Sequence, residues 1–319
     1  MGQLVDGVWQ METLVGRPKD GSFVRADTQF RDQITVDGGS GFKAEKGRYH
    51  LYTSLACPWA HRTLIFRHLK GLEEVISISV VDPFMADEGW AFGESEGCIV
   101  DPLFGARHMH EIYTQARSDY SGRVTVPVLW DRERATIVNN ESAEIIRMFN
   151  SEFASFAPET PDYCPDELLG EIDEVNERVY NDINNGVYRN GFASTQQAYE
   201  EAFDQLFAAL DWVEERLRTR RYLCGAQLSE ADWRLFPTLL RFDPVYFGHF
   251  KCNLRRIEDY TCISNYLREL YQISKIAELC NFRHIKEHYY RSHESINPTR
   301  IVPRGPEINL HQAHDRDRL

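Results

Sequence analysis

The sequence has no long apolar runs: none of its segments approaches the roughly 18 consecutive apolar residues that a membrane-spanning helix needs. Its opening residues also lack the basic segment followed by an apolar stretch that is typical of a secretory signal. Asp6 stands where an N-terminal myristoylation signal requires Ser or Thr. We therefore expect a cytoplasmic protein without a membrane partner.

Positive charge is also scarce. The chain has 36 Lys and Arg residues against 49 Asp and Glu residues, which gives a formal net charge of −13 and a sequence pI of about 5.4. A surface with this excess of negative charge repels the phosphates of nucleic acids. We expect no nucleic-acid partner. The length of 319 residues exceeds that of one typical domain and predicts two.

Cysteines are few, odd in number and scattered. The seven include no C-x-x-C pair and no tight cluster, which excludes a disulfide framework and a zinc-finger pattern. In a reducing compartment most of them should be small buried apolar residues. Cys57 is the exception, because its neighbours indicate chemistry.

The first half of the chain has a thioredoxin-like order of elements. Residues 1–46 are polar and Gly-rich and predict an extended arm. Residues 47–155 then give a strand, a helix from Pro58 to Lys70, a β-branched strand, two strands a hairpin apart, and a helix from about Glu141. This pattern predicts an α/β thioredoxin-like domain.

The second half follows a helical period. After a link containing Pro158, Pro161 and Pro165, apolar residues recur every three or four positions, which predicts an all-α domain over residues 166–290. Ser194 and Ser229 each open a segment resembling a capping box, a helix-start signal. Residues 291–319, rich in proline, predict an extended tail.

Cys57 follows a predicted strand and directly precedes Pro58, whose fixed φ suits the first position of a helix. The helix dipole and the unpaired N–H groups at such a helix start lower a thiol pKa from about 8.5 toward roughly 3.5 to 7.5. Cys57 is therefore a candidate nucleophile. The alternative from these residues alone is a cysteine that simply caps a helix.

The residue three positions after Cys57 decides the kind of thiol chemistry. A dithiol redox protein carries its resolving cysteine there, whereas this sequence has Ala60. A mixed disulfide on Cys57 must therefore be resolved by an external thiol, which in the cytosol means chiefly glutathione.

Two further segments suit glutathione. Val126-Pro127 at a strand start is a candidate cis-proline site, where the Val126 backbone would pair with an extended peptide. Glu141 and Ser142 open the next helix, where N–H groups and a hydroxyl suit a carboxylate and Glu141 suits an ammonium. A γ-glutamyl group carries both charges. An ordinary helix start explains the Glu141-Ser142 pair equally well.

Several motifs together resemble the glutathionyl-hydroquinone reductases, the xi class of glutathione transferases, over nearly the whole chain. They are Cys57-Pro58-Trp59-Ala60, Trp90 after a strand, Val126-Pro127-Val128-Leu129, Glu141-Ser142, the 230–236 segment EADWRLF and the 296–303 segment INPTRIVP. The cysteine motif alone also resembles the omega class. The segment around Trp90 and the C-terminal extension resemble the xi class specifically.

The resemblance implies an enzyme that reduces glutathionyl-hydroquinones to hydroquinones, with glutathione as co-substrate and glutathione disulfide as product. It implies Cys57 as the nucleophile and a homodimer. It also implies a glutathione site formed by Trp90, Arg123, Val126, Glu141 and Ser142. The aromatic substrate would lie between the domains against the catalytic candidates Tyr188 and Tyr289, with Tyr290 as a neighbour; from the residues alone, these tyrosines at predicted helix ends are more typical of packing.

Two alternative functions remain open, and a third, a zinc peptidase, is rejected. An omega-like dehydroascorbate reductase or general deglutathionylase shares the glutathione contacts, and a non-catalytic glutathione transferase-like binding module shares the fold. The segment from His284 to His288 matches the H-x-x-E-H pattern of zinc peptidases. Because no convincing third ligand accompanies it, we expect no metal.

Overall fold

The structure is a computed structural model that describes residues 2–11, 18, 20–157 and 159–319. Pro158 of the predicted link and part of the predicted arm lie outside these residues. The chain divides into two compact units. The first unit comprises Met1–Gly16, Ala26–Pro161 and Asn281–Ser292, and the second comprises Arg17–Arg25, Asp162–Cys280 and His293–Leu319.

The first unit contains two sheets and four α-helices among its described residues. In chain order these are β1 Gln3–Val5, β2 Val8–Gln10, β3 Tyr49–Thr53, α1 Pro58–Leu69, β4 Ser77–Val80, α2 Met109–Ala116, β5 Val128–Asp131, β6 Thr136–Asn139, α3 Ser142–Ser151 and α10 Phe282–Ser292. The larger sheet has the order β4-β3-β5-β6, with β3 parallel to β4 and antiparallel to β5. The mixed sheet with its helices confirms the predicted thioredoxin-like class.

The centre of this sheet is buried on both faces. All five residues of β3 are buried, and the imidazole of His50 on β3 is held by the hydroxyls of Ser77 and Ser79, at 2.7 Å and 2.9 Å. Since β3 and β4 are parallel, the chain must cross over between them, and helix α1 makes this crossover. Helix α1 therefore begins directly beyond the carboxyl end of the central strand.

The N-terminal arm is more ordered than the sequence predicts. Strands β1 and β2 form an antiparallel hairpin, and Leu4 exchanges two backbone hydrogen bonds with Gly122, at 3.0 Å and 2.9 Å. Further along, Ile34 and Phe42 are buried in the first unit. The predicted arm therefore contains a hairpin that the sequence did not indicate, because strands of three residues are too short to show a period in the sequence.

The second unit is helical, as predicted. Its α-helices are α4 Leu169–Arg178, α5 Gly186–Phe192, α6 Gln196–Leu217, α7 Glu230–Arg241, α8 Phe247–His249 and α9 Thr261–Gln272, with π-helical turns over Val179–Asn184 and Phe242–Tyr246 and short 3₁₀ turns elsewhere. The capping box of Ser229 and Asp232 is present at the start of α7. At the start of α6 the cap is Thr195, whose side chain accepts from the Ala198 N–H.

Two element boundaries differ from the sequence prediction. Tyr188 lies in the first turn of α5 instead of at the end of a helix, and Tyr289 and Tyr290 lie in the last turn of α10 instead of beyond it. Helix α10 belongs to the first unit, although the predicted helical domain extended to residue 290. Helical periodicity identifies a helix but carries no information on which core receives its apolar face.

Of the helices that the structure describes, none combines the length and the apolar character needed to cross a membrane.

Candidate active site

Cys57 is the N-cap residue of α1, and Pro58 follows at the first helical position. The turn from β3 into α1 is fixed by Ser54, whose hydroxyl accepts hydrogen bonds from the N–H groups of Ala56 and Cys57, at 3.1 Å and 3.3 Å. Only 8% of Cys57 is exposed. The predicted strand-Cys-Pro-helix geometry is therefore present, and it places the thiol at the positive end of a helix dipole.

Val126 lies next to this thiol. The Cys57 Sγ atom is 3.6 Å from the carbonyl oxygen of Val126, and the Val126-Pro127 peptide bond is cis, as predicted. The antiparallel register, which pairs Tyr52 with Val128, brings the start of β5 beside the end of β3. Two residues that are far apart in the sequence thus meet at one edge of the sheet.

Glu141 and Ser142 form the start of α3. The Glu141 carboxylate accepts a hydrogen bond from the Ala143 N–H at 3.1 Å, and the Glu141 N–H donates to the Asn139 side chain at 2.7 Å. Glu141 is partly exposed, whereas Ser142 is buried. This helix start offers a carboxylate at the surface and a hydroxyl below it, which is the pair of groups that the sequence predicted.

Arg62 was not predicted from the sequence, although it connects the two helix starts. Its side chain is 2% exposed, its Nη1 atom lies 3.4 Å from the Ser142 hydroxyl, and its guanidinium packs 4.6 Å from the Trp59 ring centroid. A buried arginine needs polar partners. The signal available in the sequence was an arginine one turn from the apolar run Leu64-Ile65-Phe66 of α1.

Trp90 is 7% exposed and belongs to the same cluster of buried residues as Cys57 and Val126. Its indole stacks on the imidazole of His288, with ring centroids 4.6 Å apart and planes at 19°. The His288 Nδ1 atom in turn lies 3.0 Å from the Pro83 carbonyl oxygen. Helix α10 therefore holds the indole of Trp90 in place.

Arg123 lies in the half-buried segment that leads to Val126. Its carbonyl oxygen accepts a hydrogen bond from the Tyr120 hydroxyl at 3.1 Å. This contact fixes the backbone of Arg123 three residues before Val126.

The three candidate tyrosines are divided between the two units. Tyr188, in the second unit, is half-buried in an aromatic group, with its ring centroid 5.5 Å from that of Phe250 and 4.7 Å from the Arg25 guanidinium. Tyr289, in the first unit, is fully buried, and its ring centroid is 5.2 Å from that of His288. Tyr290 is half-buried, and burial raises the pKa of its phenol.

The H-x-x-E-H segment has a structural role. The His284 Nε2 atom lies 2.7 Å from the carbonyl oxygen of Glu96, and His288 contacts Pro83 and Trp90 as described above. Both rings thus connect α10 to the segment around Trp90.

Comparisons with known proteins agree with this geometry. Residues 56–152 match the family model described as glutathione S-transferase, N-terminal domain, and residues 196–269 match glutathione S-transferase, C-terminal domain. The fold and these matches define a glutathione transferase. The similarity to individual proteins narrows the class further.

The chain is 52% identical to glutathionyl-hydroquinone reductase YqjG of Escherichia coli K12, with 99% of each chain covered. The glutathione-bound structure of that protein superposes with a TM-score of 0.91 at 50% identity, covering 99% of both chains. A xi-class glutathione transferase of Natrialba magadii gives a TM-score of 0.96 at 49% identity, covering 100% of this chain and 98% of that one. An omega-like glutathione S-transferase of Schizosaccharomyces pombe is 46% identical, covering 92% of this chain and 96% of the relative. This chain belongs to the xi class of glutathione transferases, the family of the glutathionyl-hydroquinone reductases.

Proposed function

We propose that this protein is a glutathione-dependent reductase that converts glutathionyl-hydroquinones to hydroquinones through a mixed disulfide between Cys57 and glutathione. The observation that carries the proposal is the position of Cys57 at the start of α1, with its Sγ atom 3.6 Å from the Val126 carbonyl oxygen. The identity of 52% to the E. coli protein named as such a reductase supports the choice of substrate.

The reaction has two steps. The Cys57 thiolate attacks the sulfur of the glutathionyl group, and the carbon–sulfur bond to the aromatic ring breaks. The ring carbon leaves with the electron pair of that bond and takes up a proton, which yields the hydroquinone. A glutathione thiolate then attacks the glutathionyl sulfur of the mixed disulfide, which releases glutathione disulfide and restores the Cys57 thiolate.

The glutathione site that we propose comprises Trp90, Arg123, Val126, Glu141 and Ser142. Backbone groups at Val126 suit the cysteinyl part of an extended tripeptide, which places its sulfur at Cys57. Ser142 and the N–H groups at the start of α3 suit the γ-glutamyl carboxylate, while the Glu141 carboxylate suits its ammonium. Arg62 would act as a positioning residue because its guanidinium lies within 3.4 Å of the Ser142 hydroxyl.

For the aromatic part of the substrate we propose Tyr188 and Tyr289, with Tyr290 as a further contact. A phenol placed beside the leaving ring can donate the proton that the carbanion requires, or hydrogen-bond the substrate oxygens. The aromatic group around Tyr188 favours a flat ring as ligand.

A second activity has its own support. The S. pombe relative bears an omega-like name, and a dehydroascorbate reductase or general deglutathionylase would use the same Cys57 chemistry. The deciding experiment measures turnover of glutathionyl-menadiol and of dehydroascorbate by the same enzyme at the same glutathione concentration. We expect a higher kcat/KM for glutathionyl-menadiol. A higher kcat/KM for dehydroascorbate would contradict this and indicate the omega-like activity. No turnover of either substrate would indicate a binding module.

We further propose a cytoplasmic homodimer whose catalysis requires no metal. Light scattering coupled to gel filtration tests the dimer, with a monomer mass as the contrary result. Full activity after dialysis against a chelator is expected, and its loss would contradict metal-free catalysis.

A further inference from the structure

Three side chains of the first unit bring metal-ligand atoms together outside the proposed glutathione site. Glu88 lies in the turn from Ala86 to Gly89, and His108 and His110 lie at the start of α2. One donor atom from each lies within 4.8 Å of the other two, and Glu88 Oε2 is 3.2 Å from His108 Nε2. In the part of the chain that the structure describes, this is the one cluster of three or more such residues.

The backbone fixes the two segments that carry these side chains. Ala91 pairs with His108 in an antiparallel bridge, and the Met109 N–H donates to the Trp90 carbonyl oxygen at 2.9 Å. Gly89 has φ +77° and packs so closely on Trp9 that a Cβ atom there would lie 3.0 Å from the indole. The two segments are therefore held by main-chain contacts that exist without a cation, which reduces the entropy lost on binding one.

His110 lies in a stack of rings. Its ring lies between those of Trp9 and His108, with centroid distances of 5.0 Å and 5.1 Å, and its buried Nε2 atom has no hydrogen-bond partner. A buried polar atom without a partner loses hydration with no compensation.

Glu111 orients the second histidine. The His108 Nδ1 atom lies 3.4 Å from the Glu111 carboxylate, which also accepts hydrogen bonds from the N–H groups of Arg107 and His108. The His108 side chain in turn accepts from the Glu111 N–H in the capping box of α2, so the ring is held on its Glu111 side. Here the remaining nitrogen, Nε2, is the one that faces Glu88.

We propose that Glu88, His108 and His110 bind a divalent cation of the zinc type, with water completing the coordination. Two imidazoles and one carboxylate are a ligand set that Zn²⁺ accepts, and ligand atoms around a tetrahedral ion at about 2.1 Å are roughly 3.4 Å apart. The present donor atoms, which lie within 4.8 Å of one another, would move closer together on binding the ion. The bound ion cross-links the turn before Trp90 to the start of α2, and the proposal does not depend on the chemistry of Cys57.

The test is calorimetric titration of Zn²⁺ into the Cys57→Ser chain, because a free reactive thiol is itself a zinc ligand. We expect one ion to bind per chain. The His110→Ala and Glu88→Gln variants should bind it at least about tenfold more weakly, because even the loss of a residue that only hydrogen-bonds a metal ligand lowers the affinity by that factor. His68→Ala is the matched control: it removes a histidine paired with a glutamate, Glu73, at 2.7 Å. Its affinity should be unchanged.

Circular dichroism spectra and Tm values of the variants must match those of the parent chain. His110 is preferred to His108 for the main variant because His108 caps α2. Absence of zinc binding to the parent chain would overturn the proposal. So would equal affinity in the His110→Ala variant, which would reduce Glu88 and His108 to an ion pair at a helix start.

Discussion

At the scale of single residues, its place at the start of a helix separates Cys57 from the buried cysteines Cys224, Cys252 and Cys280. Burial raises the pKa of the Cys224 and Cys280 thiols to about 12, and it raises that of Cys252 well above the ordinary value. Cys57 is also largely buried, yet it lies at a helix start, where the dipole favours an anion. Its place on α1 therefore determines its proposed role.

The first prediction is that Cys57→Ser abolishes reduction of glutathionyl-menadiol. An alcohol is not ionised at neutral pH and cannot form the mixed disulfide. Steady-state kinetics with the purified variant measure the loss. Cys98→Ser is the control, since Cys98 is a half-buried cysteine outside the proposed site. More than a few per cent residual activity in Cys57→Ser would contradict the mechanism.

The second prediction concerns selectivity among the cysteines. Iodoacetamide should label Cys57 first. The labelling rate should reach half its maximum well below pH 8.5, because an ordinary cysteine thiol has a pKa of about 8.5. Cys224 and Cys280 should stay unlabelled in the native state because burial holds them as thiols. Peptide mapping after timed labelling measures both. A Cys57 midpoint near 8.5 would show that the helix start does not activate this thiol.

The third prediction distinguishes acid catalysis from packing at Tyr188 and Tyr289. Replacement by Phe removes only the hydroxyl, so a general acid should lose roughly 10²- to 10⁴-fold in kcat/KM with the aromatic substrate. A small glutathione mixed disulfide has a thiolate leaving group that needs little help, and its reduction should persist. Equal losses on both substrates would indicate a damaged fold, and no loss on either would remove these tyrosines from the mechanism.

At the scale of elements, the C-terminal segment shows how a stretch without regular structure is held. Arg316 in its terminal 3₁₀ turn is fully buried, and its guanidinium donates to the carbonyl oxygens of Leu217, Arg220 and Arg221. Leu310 is buried as well. The segment that the sequence predicted as an extended tail is therefore anchored to the end of α6.

The fourth prediction is that Arg316→Ala lowers the free energy of unfolding by roughly 3–5 kcal/mol. The change leaves the carbonyl groups of Leu217, Arg220 and Arg221 without their buried donor, and each buried polar group left unsatisfied costs about 1–3 kcal/mol. Glu269, 3.8 Å from the Arg316 Nε atom, keeps Arg221 as its partner at 2.7 Å. Arg318→Ala is the matched control, because that side chain is 52% exposed and its loss should cost no more than about 0.5 kcal/mol. Urea unfolding measures both, and equal effects would refute the anchoring role.

At the scale of the whole molecule, each unit contains a buried neutral histidine. Burial, aided by the charge of Arg132, lowers the pKa of His50 to about 4, and burial lowers that of His249 to about 4 as well. The unfolded chain binds these protons near pH 6.5, whereas the native chain does not. The free energy of unfolding should therefore fall as the pH decreases from about 6.5 to about 4. Below that range these two histidines cause no further change in it.

The fifth prediction follows from this linkage. Between pH 7 and pH 4.5 each histidine should lower the free energy of unfolding on the order of 2–3 kcal/mol. Urea midpoints across this range measure the change, and His50→Gln, which keeps side-chain partners for Ser77 and Ser79, should reduce the slope. An unchanged slope in this variant would show that His50 is not a source of the acid sensitivity.

The sequence determined the local features of this protein. The strand before Cys57, the proline after it and the absence of a second cysteine at Ala60 are adjacent in the chain, and each has a fixed meaning for the backbone or for thiol chemistry. Helix and strand periods depend on neighbours two to four residues apart. For this reason the thioredoxin-like class, the helical second half and the position of the thiol at a helix start followed from the sequence. The proposed glutathione residues Val126, Glu141 and Ser142 followed from motifs on these segments, whereas Trp90 and Arg123 were implied by the resemblance to the xi class.

Only the tertiary structure decided which distant residues meet. The contact of Cys57 with Val126, 69 positions away, depends on the register of β3 and β5, and no local pattern encodes it. The same holds for the bond from Arg62 to Ser142, for the stacking of Trp90 on His288 and for the assignment of α10 to the first unit. Glu88 and the two histidines of α2 are unremarkable in the sequence. They form a candidate cation site because main-chain pairing between two irregular segments places their side chains together.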